Sequence, residues 1–193
     1  MKLHVIKKKE LEVNEWSGGT TTQIAIYPES SQYKKLDFMW RISSAKVEVE
    51  KSQFTSLPGV DRILIILDGE MKLEHKGHHT REMKKYDKDF FSGSWETTSI
   101  GKVTDFNIMT RAGCCAESDI INMDGTVDEI SLANGTNIFF CSEGKMELEI
   151  NRTSLVIEKG DTLVAEVPYD ECIAEIKGSE SATCINVRIT YNE

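Results

Sequence analysis

Asp68-Gly-Glu-Met-Lys-Leu-Glu-His75 recurs 75 residues later as Glu143-Gly-Lys-Met-Glu-Leu-Glu-Ile150. Gly69/Gly144, Met71/Met146, Leu73/Leu148 and Glu74/Glu149 are identical pairs. Glu70/Lys145 and Lys72/Glu147 exchange charge at positions that stay polar. Apolar and polar residues alternate, which is the period of a strand with one face buried. Each copy reaches a turn at the same offset, Lys76-Gly77 in the first and Asn151-Arg152 in the second. A second strand follows each turn, over 78–83 and 153–158. The phrase reads as a duplicated β-hairpin, and the chain as two copies of one β-architecture.

The flanking sequence extends that pattern. Strands are expected over 3–8, 21–27, 37–49, 62–67, 89–91 and 104–111 in the first half, and over 136–141, 162–166, 172–177 and 182–190 in the second. They are short and separated by Gly, Asp, Asn, Ser or Pro, the spacing of an all-β sandwich or barrel. No sustained apolar stripe of helical period occurs, and 52–57 is the best candidate for a helical turn. A chain of 193 residues holds one large domain or two small ones. The softest point lies near 113–125, which divides the chain into 1–115 and 116–193 and leaves strand exchange between the halves open. Glu158-Lys-Gly-Asp161 reads as a tight turn in which Gly supplies a positive φ and Asp bonds its own backbone.

A net charge of −9 argues against nucleic-acid binding. The longest apolar run, 63–67, is far short of a membrane span, and the N-terminus has no secretory apolar core. Five cysteines, none in a CxxC spacing, read as reduced thiols of a cytoplasmic protein. Cys114-Cys115 is a vicinal pair, read as two small residues at a strand end or as a redox pair. The four histidines are His4, His75, His78 and His79, and none forms the His-x-His plus Glu set of a β-barrel metal site. They read as surface residues of a hairpin, so no metal ligand and no cofactor is expected. No Ser/His/Asp or Cys/His catalytic set is visible.

Chemistry is concentrated in the first half. Trp16-Ser-Gly-Gly-Thr-Thr-Thr-Gln23, Trp40-Arg-Ile-Ser43, Pro58-Gly-Val-Asp-Arg62 and Asp105-Phe-Asn-Ile-Met-Thr-Arg111 carry polar groups that core packing does not require. Strand parity puts Arg41 with Ser43 on one face, and Asp105, Asn107, Met109 and Arg111 on one face. If those faces turn inward, Asp61 and Asp105 serve at most two of Arg41, Arg62 and Arg111. The remaining guanidinium is then free to meet an anion in a bidentate fork. The alternative is that these arginines lie in solvent.

These phrases, with Phe54, resemble the HutD/Ves family in order and spacing across 11–111. The C-terminal half is similar only in its cupin-like strand pattern. The resemblance implies a bicupin, two jelly-roll-like β-barrels related by duplication. It implies a non-catalytic, regulatory role in bacterial histidine utilisation, with N-formylglutamate or a similar small acid as ligand. Ves-type members are associated with stress responses. Carried over by motif, the pocket comprises Thr21, Gln23, Arg41, Ser43, Asp61 and Arg62, with Asn107 and Arg111. The chain departs from the family pattern at Phe90-Phe-Ser-Gly93, where a proline-phenylalanine turn and a Gly-Asp are usual. The expected partner is a small anionic metabolite, not nucleic acid or membrane, and a homodimer is left open. Two other readings remain: a metal-independent isomerase or hydrolase using Asp61 or Asp105 as base, and a protein-interaction module. A carboxylate beside arginine is a poor base at neutral pH, which weighs against the enzyme.

Overall fold

The computed structural model describes residues 1–169 and 172–192. The strands are β1 (Lys2–Ile6), β2 (Val13–Trp16), β3 (Gly19–Tyr27), β4 (Trp40–Val47), β5 (Lys51–Gln53), β6 (Val60–Gly69), β7 (Met71–His75), β8 (Thr80–Met83), β9 (Lys88–Ser92), β10 (Thr97–Ile100) and β11 (Val103–Arg111). They continue with β12 (Cys114–Asn122), β13 (Val127–Leu132), β14 (Gly135–Glu143), β15 (Lys145–Ile150), β16 (Thr153–Glu158), β17 (Thr162–Val167), β18 (Cys172–Gly178) and β19 (Thr183–Tyr191). The helical content among the described residues is two 3-10 turns, Lys8–Glu10 and Tyr33–Lys35. The helical turn expected over 52–57 does not form; Ser52 lies in β5 instead, paired with Ser99.

Two compact units result. One is Glu12–Cys114; the other joins Met1–Leu11 to Cys115–Glu193. The first unit holds sheets of order β2-β3-β4-β11-β6-β9 and β5-β10-β7-β8. The second holds β1-β17-β14-β19-β12 and β13-β18-β15-β16. Read from its other edge, the second unit repeats the order of the first: β12-β19-β14-β17 matches β4-β11-β6-β9, and β13-β18-β15-β16 matches β5-β10-β7-β8. The expected first domain, 1–115, differs at its N-terminus. β1 pairs antiparallel with β17, Lys2 opposite Glu166 through Ile6 opposite Thr162, so the first eleven residues belong with the C-terminal unit. The stretch 113–125, read as the softest point, is largely β12.

The duplicated phrase has a backbone reason. Gly69 and Gly144 have φ of +83° and +72°. A Cβ would lie 2.5 Å from the Lys102 carbonyl oxygen at Gly69, and 2.8 Å from Ala182 Cα at Gly144. Only glycine meets both demands. Beside each glycine the sheet carries the same bulge: β11 shifts register against β6 between Thr104 and Asp105, and β14 shifts against β19 between Cys141 and Glu143.

Alternation then fixes the cores. Leu64, Ile66, Met71 and Leu73 pack together between the two sheets of the first unit. Phe139, Cys141, Met146 and Leu148 do so in the second. Together with their neighbours these side chains are withdrawn from water, the main favourable contribution to folding. The expected turn at Glu158–Asp161 is present. Gly160 has φ +91°, and Asp161 accepts from the backbone N–H of Glu158 at 3.2 Å and of Lys8 at 3.0 Å.

Candidate functional site

The site is built on the larger sheet of the first unit. Residues paired across an antiparallel ladder share a face. β4–β11–β6–β9 pairing therefore sets Arg41, Met109, Arg62 and Phe91 in one row, and Ser43, Asn107, Leu64 and Asp89 in the next. A third row holds Ala45, Asp105 and Ile66. β3 adds Gln23 beside Ser43 and Thr21 beside Ala45. Arg111, opposite Val60, continues the face beyond Met109. The inward turn of this polar face is a structural fact: Arg41, Ser43, Arg62, Asp105 and Asn107 are all buried. Thr21, Gln23 and Arg111 are half-buried.

Asp61 is the exception among the expected site residues. It is exposed and lies on the opposite face of β6 from Arg62. Neighbouring residues on a strand project to opposite sides, so the sheet does not bring the two together.

Arg41 is held by neutral partners. Its Nε donates to Gln23 Oε1 at 2.9 Å and its Nη1 to Ser43 Oγ at 2.8 Å, with the Tyr33 ring 4.4 Å from its Cζ. Arg62 lies over Phe54 and Phe91, its Cζ 4.7 and 5.1 Å from the two ring centres. Its buried Nε makes no hydrogen bond. Asp105 Oδ1, Asn107 Oδ1 and Arg111 Nε are likewise buried without one. Four such atoms on one face call for a partner, because each forfeits a hydrogen bond it would make in water.

Electrostatics sharpen the imbalance. Burial lowers Arg62 to about 10, against the pull of Asp105 and Tyr33 in the other direction. Burial also lowers Arg41. Asp105 is pushed up to about 7, because burial outweighs the nearby Arg62 charge and a backbone hydrogen bond from Ala45. Near neutrality the counter-charge facing the two guanidiniums is therefore incomplete. Neither Arg41 nor Arg62 makes a salt bridge to a described carboxylate. The arrangement suits the capture of a small anion by preformed donors.

A second cluster was missed in the sequence. The expectation of surface histidines fails for His75, whose side chain is fully buried. Met71, Leu73 and His75 alternate inward along β7, so the core face receives an imidazole. His75 Nδ1 lies 2.8 Å from Thr97 Oγ1, and its Nε2 lies 3.0 Å from Asp89 Oδ2. His79 Nε2 approaches the same carboxylate at 3.0 and 3.1 Å. Burial lowers His75 despite its acidic neighbour. Burial works to raise Asp89, but hydrogen bonds from His79 and His75 hold it below the usual carboxylate range. The available signal was parity: His75 follows Met71 and Leu73 at alternate positions.

Cys114 is buried and Cys115 exposed, and every described cysteine is a free thiol. No helix of the described residues is long and apolar enough to cross a membrane.

The HutD family model matches residues 8–183. The chain belongs to the HutD family. It is 32% identical over 114 residues to Protein Ves of Citrobacter koseri, covering 55% of this chain and 57% of that protein. The match thus spans little more than half the length of that relative. Among solved structures, a conserved protein of unknown function from Pseudomonas aeruginosa PAO1 superposes with a TM-score of 0.87 at 20% identity, covering 98% of this chain and 99% of that one. HutD from Pseudomonas fluorescens SBW25, determined in a formate condition, gives 0.80 at 19% identity with both chains fully covered. An oxalate decarboxylase from Lactobacillus farciminis, in a formate complex, gives 0.71 at 7% identity, covering 97% of this chain and 86% of that one. The fold is accordingly an all-β, multi-sheet architecture related to the bicupin enzymes.

Proposed function

We propose that the first unit binds a small carboxylate and that the protein acts as a metabolite sensor in histidine or related amino-acid catabolism, not as a catalyst. The carrying observation is the pair Arg41 and Arg62, buried on one sheet face without a salt bridge to any described carboxylate. Arg62 supplies the main charge contact, Arg41 a second one oriented by Gln23 and Ser43. Asn107 and Arg111 complete the polar floor, and Thr21 lies at its edge. Tyr33, Phe54 and Phe91 cover the guanidiniums and keep the ligand small. The oxalate decarboxylase of similar fold was determined in a formate complex, which is in keeping with a carboxylate as the ligand class. The family resemblance supports N-formylglutamate or a close analogue as the physiological member of that class. The non-catalytic part of the reading rests on the family resemblance: Asp105, expected to be lowered beside Arg62 and so a poor base, is instead pushed up to about 7 because burial outweighs the arginine.

Calorimetric titration of the purified protein with formate, acetate, glutamate, N-formylglutamate and urocanate tests the reading. At least one acid should bind in a 1:1 ratio, and Arg62→Ala should weaken it at least tenfold. Absence of binding by every acid, or undiminished binding by Arg62→Ala, would overturn it. Turnover of any of these acids followed by NMR would replace the sensor with an enzyme.

A further inference from the structure

We propose that His75, His79 and Asp89 form a binding site for one divalent transition-metal ion of the zinc class, separate from the Arg41–Arg62 pair. Their three candidate ligand atoms lie within 4.8 Å of one another. Both imidazoles approach Asp89 Oδ2 at 3.0 Å, close to the edge of about 3.3 Å in a tetrahedron built from metal–ligand distances of about 2.0 Å. Two imidazoles and one carboxylate suit zinc, cobalt or nickel rather than magnesium or calcium.

The surrounding hydrogen bonds hold this set in place. Asp89 Oδ1 accepts from the Phe90 backbone N–H at 3.0 Å, faces Arg81 Nη1 at 3.7 Å and lies 3.1 Å from His79 Nε2, while Oδ2 is 3.0 Å from both imidazoles. Thr97 Oγ1 lies 2.8 Å from His75 Nδ1 and 3.3 Å from the Trp95 carbonyl oxygen. A hydroxyl has one proton to donate. Without a metal, His75 Nε2 donates to Asp89 Oδ2 and Thr97 Oγ1 can donate to Nδ1. An ion bound between Nε2 and Oδ2 would displace the Nε2 proton to solvent, and neutral His75 would then carry its hydrogen on Nδ1, toward Thr97 Oγ1. An imidazole whose remote N–H is held by an oxygen acceptor is also the usual arrangement of a metal-ligating histidine.

The site is reachable. His79 and Arg81 are 40% and 47% exposed at their side chains, whereas His75 is fully buried and Asp89 nearly so. A surface hollow lined by Glu74, His75, His79 and Glu96 opens above it. Arg81 Nη1, 3.7 Å from Asp89 Oδ1 on a half-exposed side chain, is a charge with which a metal would compete. Three protein ligands leave a fourth position for water, the pattern of an open rather than a purely structural site. Phe91 separates this cluster from the arginines: its ring is 4.5 Å from His75 and 5.1 Å from the Arg62 Cζ.

The test uses the full chain stripped with a chelator and titrated with Zn²⁺ by calorimetry and with Co²⁺ by absorbance. One ion per chain should bind, with d–d bands of a tetrahedral N/O site. Trp95, whose ring centre lies 5.5 Å from His75 and 5.8 Å from His79, should lose fluorescence with Co²⁺, and Trp95→Phe should abolish that quenching. His79→Ala, at a position exposed enough to leave the fold intact, should weaken binding at least tenfold, as should Asp89→Asn. His78→Ala should leave it unchanged. No uptake at millimolar metal, full binding by His79→Ala, or a sulfur-to-cobalt charge-transfer band that places the ion on a cysteine would each overturn the site.

Discussion

Two units of one strand order treat the same sheet position in opposite ways. In the first unit Met109 of β11 stands opposite Arg62 of β6. In the second the corresponding pair is Arg188 of β19 opposite Asn137 of β14. Arg188 is neutralised: its Nη2 reaches Asp119 at 2.7 Å and Glu117 at 3.3 Å, and it is partly open to water. Asn137 is fully buried, with its amide closed on Ala133, accepting at 2.9 Å and donating at 2.8 Å. Two rows further the contrast repeats. Asp105 and Ile66 of the first unit correspond to Cys184 and Cys141 of the second. Burial raises both thiols, Cys141 to about 12, so neither is a thiolate at neutral pH. At these positions the second framework pairs its polar groups, whereas the first leaves guanidiniums without counter-charge. Unfinished pairing at these rows, not the fold, is what sets the first unit apart.

Substitutions that exchange the two solutions test this most severely. Asn137→Arg introduces a guanidinium where no polar partner has been left for it and removes both bonds to Ala133. A buried unpaired charge costs several kcal/mol, so chemical denaturation should show a loss of roughly 3–5 kcal/mol or an unfolded protein. The reverse change, Arg62→Asn, should leave stability at pH 7 nearly intact, since the arginine is itself poorly compensated. Carboxylate affinity should fall by about 1.5–3 kcal/mol, at least tenfold, the contribution of a charge-assisted contact. If Arg62→Asn destabilised the chain as much as Asn137→Arg, Arg62 would be a structural residue and the contrast would collapse.

Orienting groups should matter less. Ser43→Ala removes one neutral acceptor from Arg41 and should weaken carboxylate binding by about 0.5–1.5 kcal/mol. Asp119→Asn in the second unit cuts a half-exposed ion pair and should cost no more than about 1 kcal/mol of stability, without any effect on ligand titrations.

Much of this contrast was legible in the sequence, for a physical reason. The duplicated hairpin shows because Met71, Leu73, Met146 and Leu148 bury a clean alternate face. That Asp105, Asn107 and Met109 share a face follows from the same parity; that the face turns inward comes from the sheets. What escaped notice is where polar side chains occupy core positions. β10 buries Thr97 and Ser99, and its apolar alternation is therefore missing. β2 is exposed along its length and carries no pattern at all. His75 reads as a surface residue in the sequence, and only the sheets place it beside Asp89. Asp61 was grouped with Arg62 by proximity in sequence, although adjacent strand residues point to opposite faces. Pairing across strands distant in sequence decides such cases, and composition alone does not carry it.

The pH response bears most directly on how the first unit holds its charge. The Asp105 carboxyl is raised to about 7, above the value of about 3.9 expected in the unfolded chain. Between those two values the folded protein binds more protons than the unfolded one, so stability falls as pH rises through that window and levels off above it. Asp105→Asn should flatten this slope in denaturant titrations run between about pH 4 and 8. Ligand affinity should follow the same group. Below about 7 Asp105 is largely neutral and leaves the arginines to the ligand; above it, the new carboxylate competes for them. Affinity for a small acid should therefore decline by roughly 1 kcal/mol, about fivefold, from pH 6 to 8, and calorimetry in buffers of different ionisation enthalpy should detect proton uptake on binding. The Asp105→Asn protein should show neither change. A pH-independent affinity in the parent chain would mean that Asp105 does not titrate in this range and does not compete with the ligand for the arginines.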